Sequence, residues 1–392
     1  MKKRALAVTL AVLMAASLSA CGSSNSGSGS TTAAPAETTT AAETKAAEAE
    51  TTAGTAVKSE SSDGYELALV TDLGTIDDKS FNQGAWEGMK KYAEENGISY
   101  KYYQPQEGTT DSYLETIGLA IEGGAKLVVC PGFLFEEPVY LAQDQYKDVH
   151  FILLDGEPHS GDYSEYRTEA NTMPILFQED EPGFLAGYAA VKDGYTKLGF
   201  LGGMAVPAVI RYGYGFAEGA DYAAKEMGVD GIEIMYNYTG AFAATPEAQS
   251  MAASWYQNGT EVIFGCGGAV GNSVMAAAEA NKGLVIGVDV DQSNESSTVI
   301  TSAYKQLAVS VTKELKAIDD GTFPGGENIV LGAKDDSVGL PMKTSKFEKF
   351  TQKEYDALYA KIKEGKITIK TNEDFKDPTQ IKASKVKLDY IK

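Results

Sequence analysis

From residue 64 onward, short apolar runs alternate with longer amphipathic ones, and no other feature restricts the fold as much. The short runs read as buried strands and the stretches between them as helices. Strand, helix and strand in steady alternation build a parallel, doubly wound sheet with helices on both faces.

The first set places strands at 65–71, 98–103, 126–130 and 149–155, with helices at 80–95, 112–122 and 137–146. Phe81, Ala85, Met89 and Ala93 share one face of the first helix, and Asn96-Gly97 stops it. Residues 156–171 are polar and irregular. The rhythm then restarts, with helices at 182–191, 214–227, 246–257 and 272–280 and strands at 197–201, 232–236, 261–266 and 284–288. A strand at 298–302, a helix at 304–320 and a charged helix at 346–364 follow, the last packing on the second set. Two α/β sets of similar length predict a two-lobed α/β protein with a cleft between the lobes. The division places 64–173 plus 298–322 in the N-terminal lobe and 174–297 plus 323–392 in the C-terminal lobe.

The chain begins with the positive residues Lys2, Lys3 and Arg4, then an apolar run at 5–16 too short to span a membrane. Leu18-Ser19-Ala20-Cys21 follows, small residues before a cysteine. This order resembles a lipobox, which implies a signal peptide over 1–20, a lipid on Cys21 and a membrane-anchored chain that does not span the bilayer. Residues 21–63 are rich in Gly, Ser, Thr, Ala and Glu and read as a disordered tether. Its expected reach is roughly 35 Å.

The formal charge is −21, and about −24 once Lys2, Lys3 and Arg4 leave with the signal. So acidic a surface repels nucleic acid and argues against a DNA-binding regulator. His150 and His159 have neither metal-site spacing nor a recognisable catalytic partner, so no metal or cofactor is expected. Cys130 and Cys266 each end an apolar run and read as small core residues on separate strands.

In open α/β sheets, ligands lie beyond the carboxyl ends of the strands. The stretch Val70-Thr71-Asp72-Leu73-Gly74-Thr75-Ile76-Asp77-Asp78-Lys79-Ser80-Phe81-Asn82-Gln83 falls at such an end. Asp78 or Ser80 could instead serve only to cap the helix. Placing each polar loop at its strand end brings Asp72, Asp78, Phe81, Gly132, Phe133 and Asp155 to the cleft from the first set. Met204, Gly240, Phe242, Gly267, Gly268 and Asp289 come from the second, and Lys305 from the late strand. Carboxylates accept hydroxyl and N–H donors, rings stack, and glycine lets backbone approach a ligand.

Read in order, Thr71-Asp72-Leu73-Gly74, Asp78-Lys79-Ser80-Phe81-Asn82-Gln83, Glu181-Pro182-Gly183-Phe184-Leu185-Ala186-Gly187 and Gly199-Phe200-Leu201-Gly202-Gly203-Met204 form a pattern. Gly267-Gly268-Ala269-Val270-Gly271, Ile286-Gly287-Val288-Asp289-Val290-Asp291-Gln292 and Thr301-Ser302-Ala303-Tyr304-Lys305 complete it. The region from 64 to 343 resembles the basic membrane lipoprotein family, nucleoside-binding lipoproteins of ABC importers with the type I periplasmic-binding fold. The resemblance implies a monomeric receptor that closes on a purine nucleoside and hands it to a permease and its ATPase. It implies that Asp78 bonds the base, Phe81 stacks on it, and Asp289 holds the ribose hydroxyls with Lys305 orienting that end. Three stretches depart from the pattern: Asp77 stands where the family has asparagine, Gly268-Ala269-Val270-Gly271 replaces a small-Gly-Thr-Gly run, and Gly156–Thr172, with Tyr163 and Tyr166, has no match in it.

Other readings keep the fold and change the ligand to a sugar, autoinducer or amino acid, or make the chain a sensor. A nucleoside hydrolase is a remote alternative, because 71–78 is loosely similar to a calcium-binding aspartate motif. Val70 and Leu73, however, stand where that motif has aspartate and proline.

Overall fold

The computed structural model describes residues 65–392. The expected signal peptide, Cys21 and the 21–63 tether lie outside the described residues.

The described chain opens with β1 (Leu67–Val70), α1 (Phe81–Asn96), β2 (Tyr100–Tyr103), α2 (Thr110–Glu122), β3 (Leu127–Pro131), α3 (Glu136–Gln145), β4 (His150–Leu154) and β5 (Thr172–Phe177). It continues through α4 (Asp180–Asp193), β6 (Lys197–Gly202), α5 (Pro207–Met227), β7 (Ile232–Tyr238), α6 (Pro246–Gln257), β8 (Val262–Cys266), α7 (Val270–Asn281) and β9 (Leu284–Asp289). It ends with β10 (Val299–Lys305), α8 (Leu307–Asp319), β11 (Ile329–Leu331), β12 (Val338–Gly339), α9 (Gln352–Lys363) and β13 (Val386–Tyr390).

The inner strands are apolar throughout because helices cover both faces; β1, Leu-Ala-Leu-Val, is buried at every position. On α1, Ala85, Met89 and Ala93 are buried as the spacing predicts, and Gly97 ends the helix in the left-handed region at φ +68°. Phe81 is only half-buried, because it faces the cleft rather than the core.

Two sheets form. The first has the order β11-β5-β4-β3-β1-β2 and the second β12-β10-β9-β8-β6-β7-β13. All pairings are parallel except β10 with β12. Each sheet starts at an inner strand and the strand order reverses beside it, at β1/β3 in the first and β6/β8 in the second. These are topological switch points, where crevices for ligands open.

The expected lobe division needs correction at the 173/174 boundary, which cuts β5 although the whole strand lies in the first sheet, and at its late segments. Strand β10 pairs with β9 in the second sheet, so 298–322 does not belong wholly to the first lobe. Only α8 returns, laid on α1: Thr312 Oγ1 donates to the Gly88 carbonyl at 3.2 Å. Gly88 has no room for a side chain, since a Cβ there would lie 2.6 Å from Ala308 Cα. Conversely, β11 joins β5 in the first sheet, inside a segment expected in the second lobe. The chain therefore crosses between sheets after β5, after β10 and after β11. Strand β10 also runs further than expected, which puts Lys305 at its very end. Helix α5 starts at Pro207, ahead of the expected 214, because proline suits the first helical turn.

Within the second lobe, α4 and α5 meet backbone to backbone. A Cβ on Gly187 would lie 2.0 Å from the Phe216 carbonyl oxygen, and one on Gly219 would lie 2.0 Å from that of Phe184. Gly183 and Gly215 face the Tyr212 and Asp180 carbonyls in the same way. Cys130 and Cys266 are buried, unpaired, and on β3 and β8. Among the described residues no helix is long and apolar enough to cross a membrane, and no His, Cys, Asp and Glu cluster could hold a metal ion.

Candidate functional site

The carboxyl ends of the two sheets enclose a cavity with about 620 Å3 of empty volume, part of it open to solvent. Asp72, Asp78, Phe81, Gly132, Phe133, Asp155, Phe242, Gly267, Asp289 and Lys305 all line it. Met204 and Gly240, also placed at the cleft by the sequence pattern, do not.

The switch points supply the floor. At β1/β3, a Cβ on Gly132 would lie 3.6 Å from Asp72 Oδ2. At β6/β8, a Cβ on Gly267 would lie 2.6 Å from the Gly203 nitrogen, so only glycine permits this approach. Phe133 follows Gly132 and stays half-buried on the cavity wall, while Phe135 fills the core.

The loop between β1 and α1 is tied by one amide. Asn82 Nδ2 donates to Asp72 Oδ1 at 2.8 Å and to Asp78 Oδ2 at 3.0 Å. Asp72 Oδ1 also accepts from the Gly74 nitrogen at 2.6 Å. Asp78 accepts from the backbone nitrogens of Ser80 (2.8 Å), Asn82 (3.0 Å) and Gln83 (3.1 Å). Asp78 therefore does cap the start of α1, and it lines the cavity as well. Asp72 Oδ2 faces Gly132 and the cavity.

Asp155, just after β4, and Asp289, the last residue of β9, have positive φ, +57° and +65°. Strain of this kind in non-glycine residues clusters where side chains must be aimed. Both aim at Lys305. Its Nζ pairs closely with Asp155 Oδ2, lies 3.0 Å from Glu179 Oε1 and 3.9 Å from Asp289 Oδ1. The rings of Phe81, Phe177 and Tyr212 surround the same ammonium, with centroids at 5.0, 5.4 and 5.4 Å. Asp155 Oδ1 has no protein donor.

Burial sets the electrostatics. It pushes the Asp72 carboxyl up to about 6, against the donors Asn82 and Gly74. Asp289 rises to about 6 through burial, although Lys305 and Ser80 pull it down. Asp155 rises to about 7, again through burial and against Lys305. For Glu179 burial acts upward too, but Arg211 and Lys305 outweigh it and hold the carboxyl at about 2. Burial acts to lower the Lys305 ammonium, and its carboxylate neighbours instead raise it above the usual lysine range.

Polar contacts also cross the cleft without passing through the cavity. Ser80 Oγ donates to Asp289 Oδ2 at 2.5 Å. Gln292 Nε2 donates to the Lys79 carbonyl, and Lys79 pairs with Glu295. One short loop thus grips the opposite lobe at several points.

Sequence reasoning missed Asn82 as the clamp and Tyr212, Val206 and Val209 as cavity wall. Asn82 stands inside the motif itself, and its place one helical turn after Asp78 was the available signal. Tyr212 and Val209 carry no local signal, since a helix face reads as core wherever it points.

Residues 65–373 match the family model Bmp, described as an ABC transporter substrate-binding protein, PnrA-like. The ABC transporter nucleoside-binding protein BmpA of Lactococcus lactis is 30% identical over 329 residues, covering 78% of this chain and 88% of that protein. Basic membrane protein A of Borreliella afzelii is 32% identical over 314 residues, covering 79% of this chain and 92% of that protein. Among solved structures, an ABC transporter solute-binding protein from Aeropyrum pernix aligns with a TM-score of 0.69 at 23% identity, over 80% of this chain and 95% of its own. Another, from Conexibacter woesei, gives 0.62 at 23% identity, over 78% and 99%. At such identities the structural likeness speaks to the fold.

Proposed function

This chain belongs to the Bmp family, the PnrA-like substrate-binding proteins of ABC transporters, and on that footing we propose that it captures a purine nucleoside between two closing lobes. The family binds solutes outside the cytoplasm for a permease and its ATPase; it is not a family of enzymes, and the hydrolase alternative falls with that.

The charge balance of the cavity carries the nucleoside reading. Asp72, Asp78, Asp155 and Asp289 line it with Lys305 as the cation, and Lys305 is already paired with Asp155 and Glu179. An anionic ligand would meet uncompensated carboxylates. An uncharged ligand rich in hydroxyl and N–H donors meets acceptors, among them the free Asp155 Oδ1. Phe81 from the first lobe and Phe242 from the second add a ring on each side of the cleft, as a flat base requires. The Lactococcus lactis relative is named as nucleoside-binding, which supports the same reading. Asp289 and Asp155 then serve the ribose hydroxyls, with Lys305 fixing their orientation, and the Asp72–Asn82–Asp78 group serves the base edge. The expected lipid on Cys21 would hold this monomeric receptor at the cell membrane.

Closure follows from differential affinity: a ligand touching both lobes stabilises the state in which both reach it. The test is the melting temperature of ligand-stripped protein against nucleosides, bases, ribose, other sugars and nucleoside monophosphates. Ligand at a hundred times its Kd adds about 2.7 kcal/mol of stability, a shift of several degrees. A shift with guanosine, adenosine or inosine, and none with ribose or the monophosphates, is the expected result. A shift with a sugar alone would overturn the nucleoside reading and keep the receptor.

A further inference from the structure

Glu179 is fully buried, outside the cavity, and sits where the chain first crosses from one sheet to the other, between β5 and α4. Its two oxygens face two cations. Oε1 lies 3.0 Å from Lys305 Nζ, and Oε2 accepts from Arg211 Nε at 2.5 Å. Arg211 stands on α5 of the second lobe, and Lys305 ends β10, just before the second crossing. The row Asp155, Lys305, Glu179, Arg211 therefore runs from the first sheet, through two of the three crossing segments, to a helix of the second lobe.

A lysine ammonium on a flexible stem is a poor fixed point unless several acceptors hold it. Lys305 has Asp155 and, further off, Asp289 on the cavity side. Both are groups a ligand would engage. Glu179 is the acceptor behind it, beyond a ligand's reach. We propose that Glu179 is a positioning residue for solute binding: it holds the Lys305 ammonium at the cavity wall from the hinge side, with Arg211 as its counter-cation. The role rests on the receptor reading above and adds two residues that do not touch the ligand.

The experiment uses the purified protein in two arms. The first needs no ligand: reductive methylation with formaldehyde and a borohydride reagent, with the Lys305 peptide followed by mass spectrometry. Loss of the close ion pair to Glu179 Oε1 in Glu179→Gln frees the amine, and modification should speed up on the order of tenfold or more. The second arm measures guanosine and adenosine Kd by calorimetry, with an expected weakening on the order of ten- to a hundredfold. The double variant Glu179→Gln/Arg211→Gln separates positioning from mere charge neutralisation. If Glu179 positions Lys305, the double variant stays fast in labelling and weak in binding. If Glu179 serves only to neutralise Arg211, the double variant returns to wild-type behaviour, and the proposal is overturned. Wild-type labelling in Glu179→Gln overturns it equally. Should Glu179→Gln fail to fold, the double variant leaves no unpaired Arg211 and carries the labelling arm alone. Wild-type protein that binds no nucleoside sinks the nucleoside reading, while the labelling arm still decides the role of Glu179.

Discussion

Gln292 Nε2 donates to the carbonyl oxygen of Lys79 at 2.7 Å, reaching from the second lobe to the first. The same amide is fixed from behind, because its Oε1 accepts from the Val288 nitrogen at 3.0 Å. Gln292 is fully buried and takes no part in lining the cavity. Part of the contact between the lobes is therefore made by the protein itself. Gln292→Leu should weaken nucleoside binding by roughly three- to tenfold, the worth of one ordinary hydrogen bond. Stopped-flow fluorescence should place the loss in faster release. An unchanged release rate would mean that this contact does not govern closure.

Asp289 accepts from Ser80 across the cleft and faces Lys305. Asp289→Ala should lower nucleoside affinity by at least ten- to a hundredfold, as expected for loss of a charged acceptor. The melting temperature without ligand should hold or rise, because a buried carboxylate raised to about 6 is a stability cost at neutral pH. Calorimetry and thermal melts on one preparation check both halves, and normal binding would remove Asp289 from the site.

Phe81 and Phe242 approach the cavity from opposite lobes. Base stacking on an aromatic ring is worth about 1–3 kcal/mol. Phe81→Ala and Phe242→Ala should each weaken nucleoside binding by roughly five- to a hundredfold while Phe81→Tyr stays near wild type. Equal affinity in all three variants would show that the ligand presents no flat face there.

Asp72 gives a pH test with a definite sign. Its carboxyl rises from 3.8 to about 6 on folding. Below 3.8 it is protonated in both states and adds no charge cost; between 3.8 and about 6 the folded state binds the extra proton. Stability from this group is therefore lost as pH rises through that window. Asp72→Asn should melt increasingly above wild type from pH 4 to about pH 6, with the gap levelling off above that. Affinity should move the other way, since an ionised Asp72 is the better acceptor, so wild-type binding weakens as pH falls below about 6. A stability gap between the two proteins that is flat with pH would refute the shift.

The parts of the site legible in sequence are those set by local order. A carboxylate closing an apolar run recurs at Asp72, Asp155 and Asp289, and a strand that ends in an open α/β sheet can deliver it only to the cleft. Glu179, Arg211 and Tyr212 escaped because their roles depend on which distant group they meet. The sheet to which 299–305 belongs was illegible for a similar reason. Its apolar pattern marks a buried strand, but a partner is chosen by packing along the whole chain. A three-residue edge strand such as β11 carries too few residues to form a pattern at all.

The glycine contacts between α4 and α5 bear on how this receptor spends the free energy of binding. Two helices whose backbones touch through Gly183, Gly187, Gly215 and Gly219 have no side-chain layer between them to compress or slide. In the closing-lobe reading proposed above, the second lobe would turn as a stiff lever, and the rotation would be taken up where the chain changes sheets.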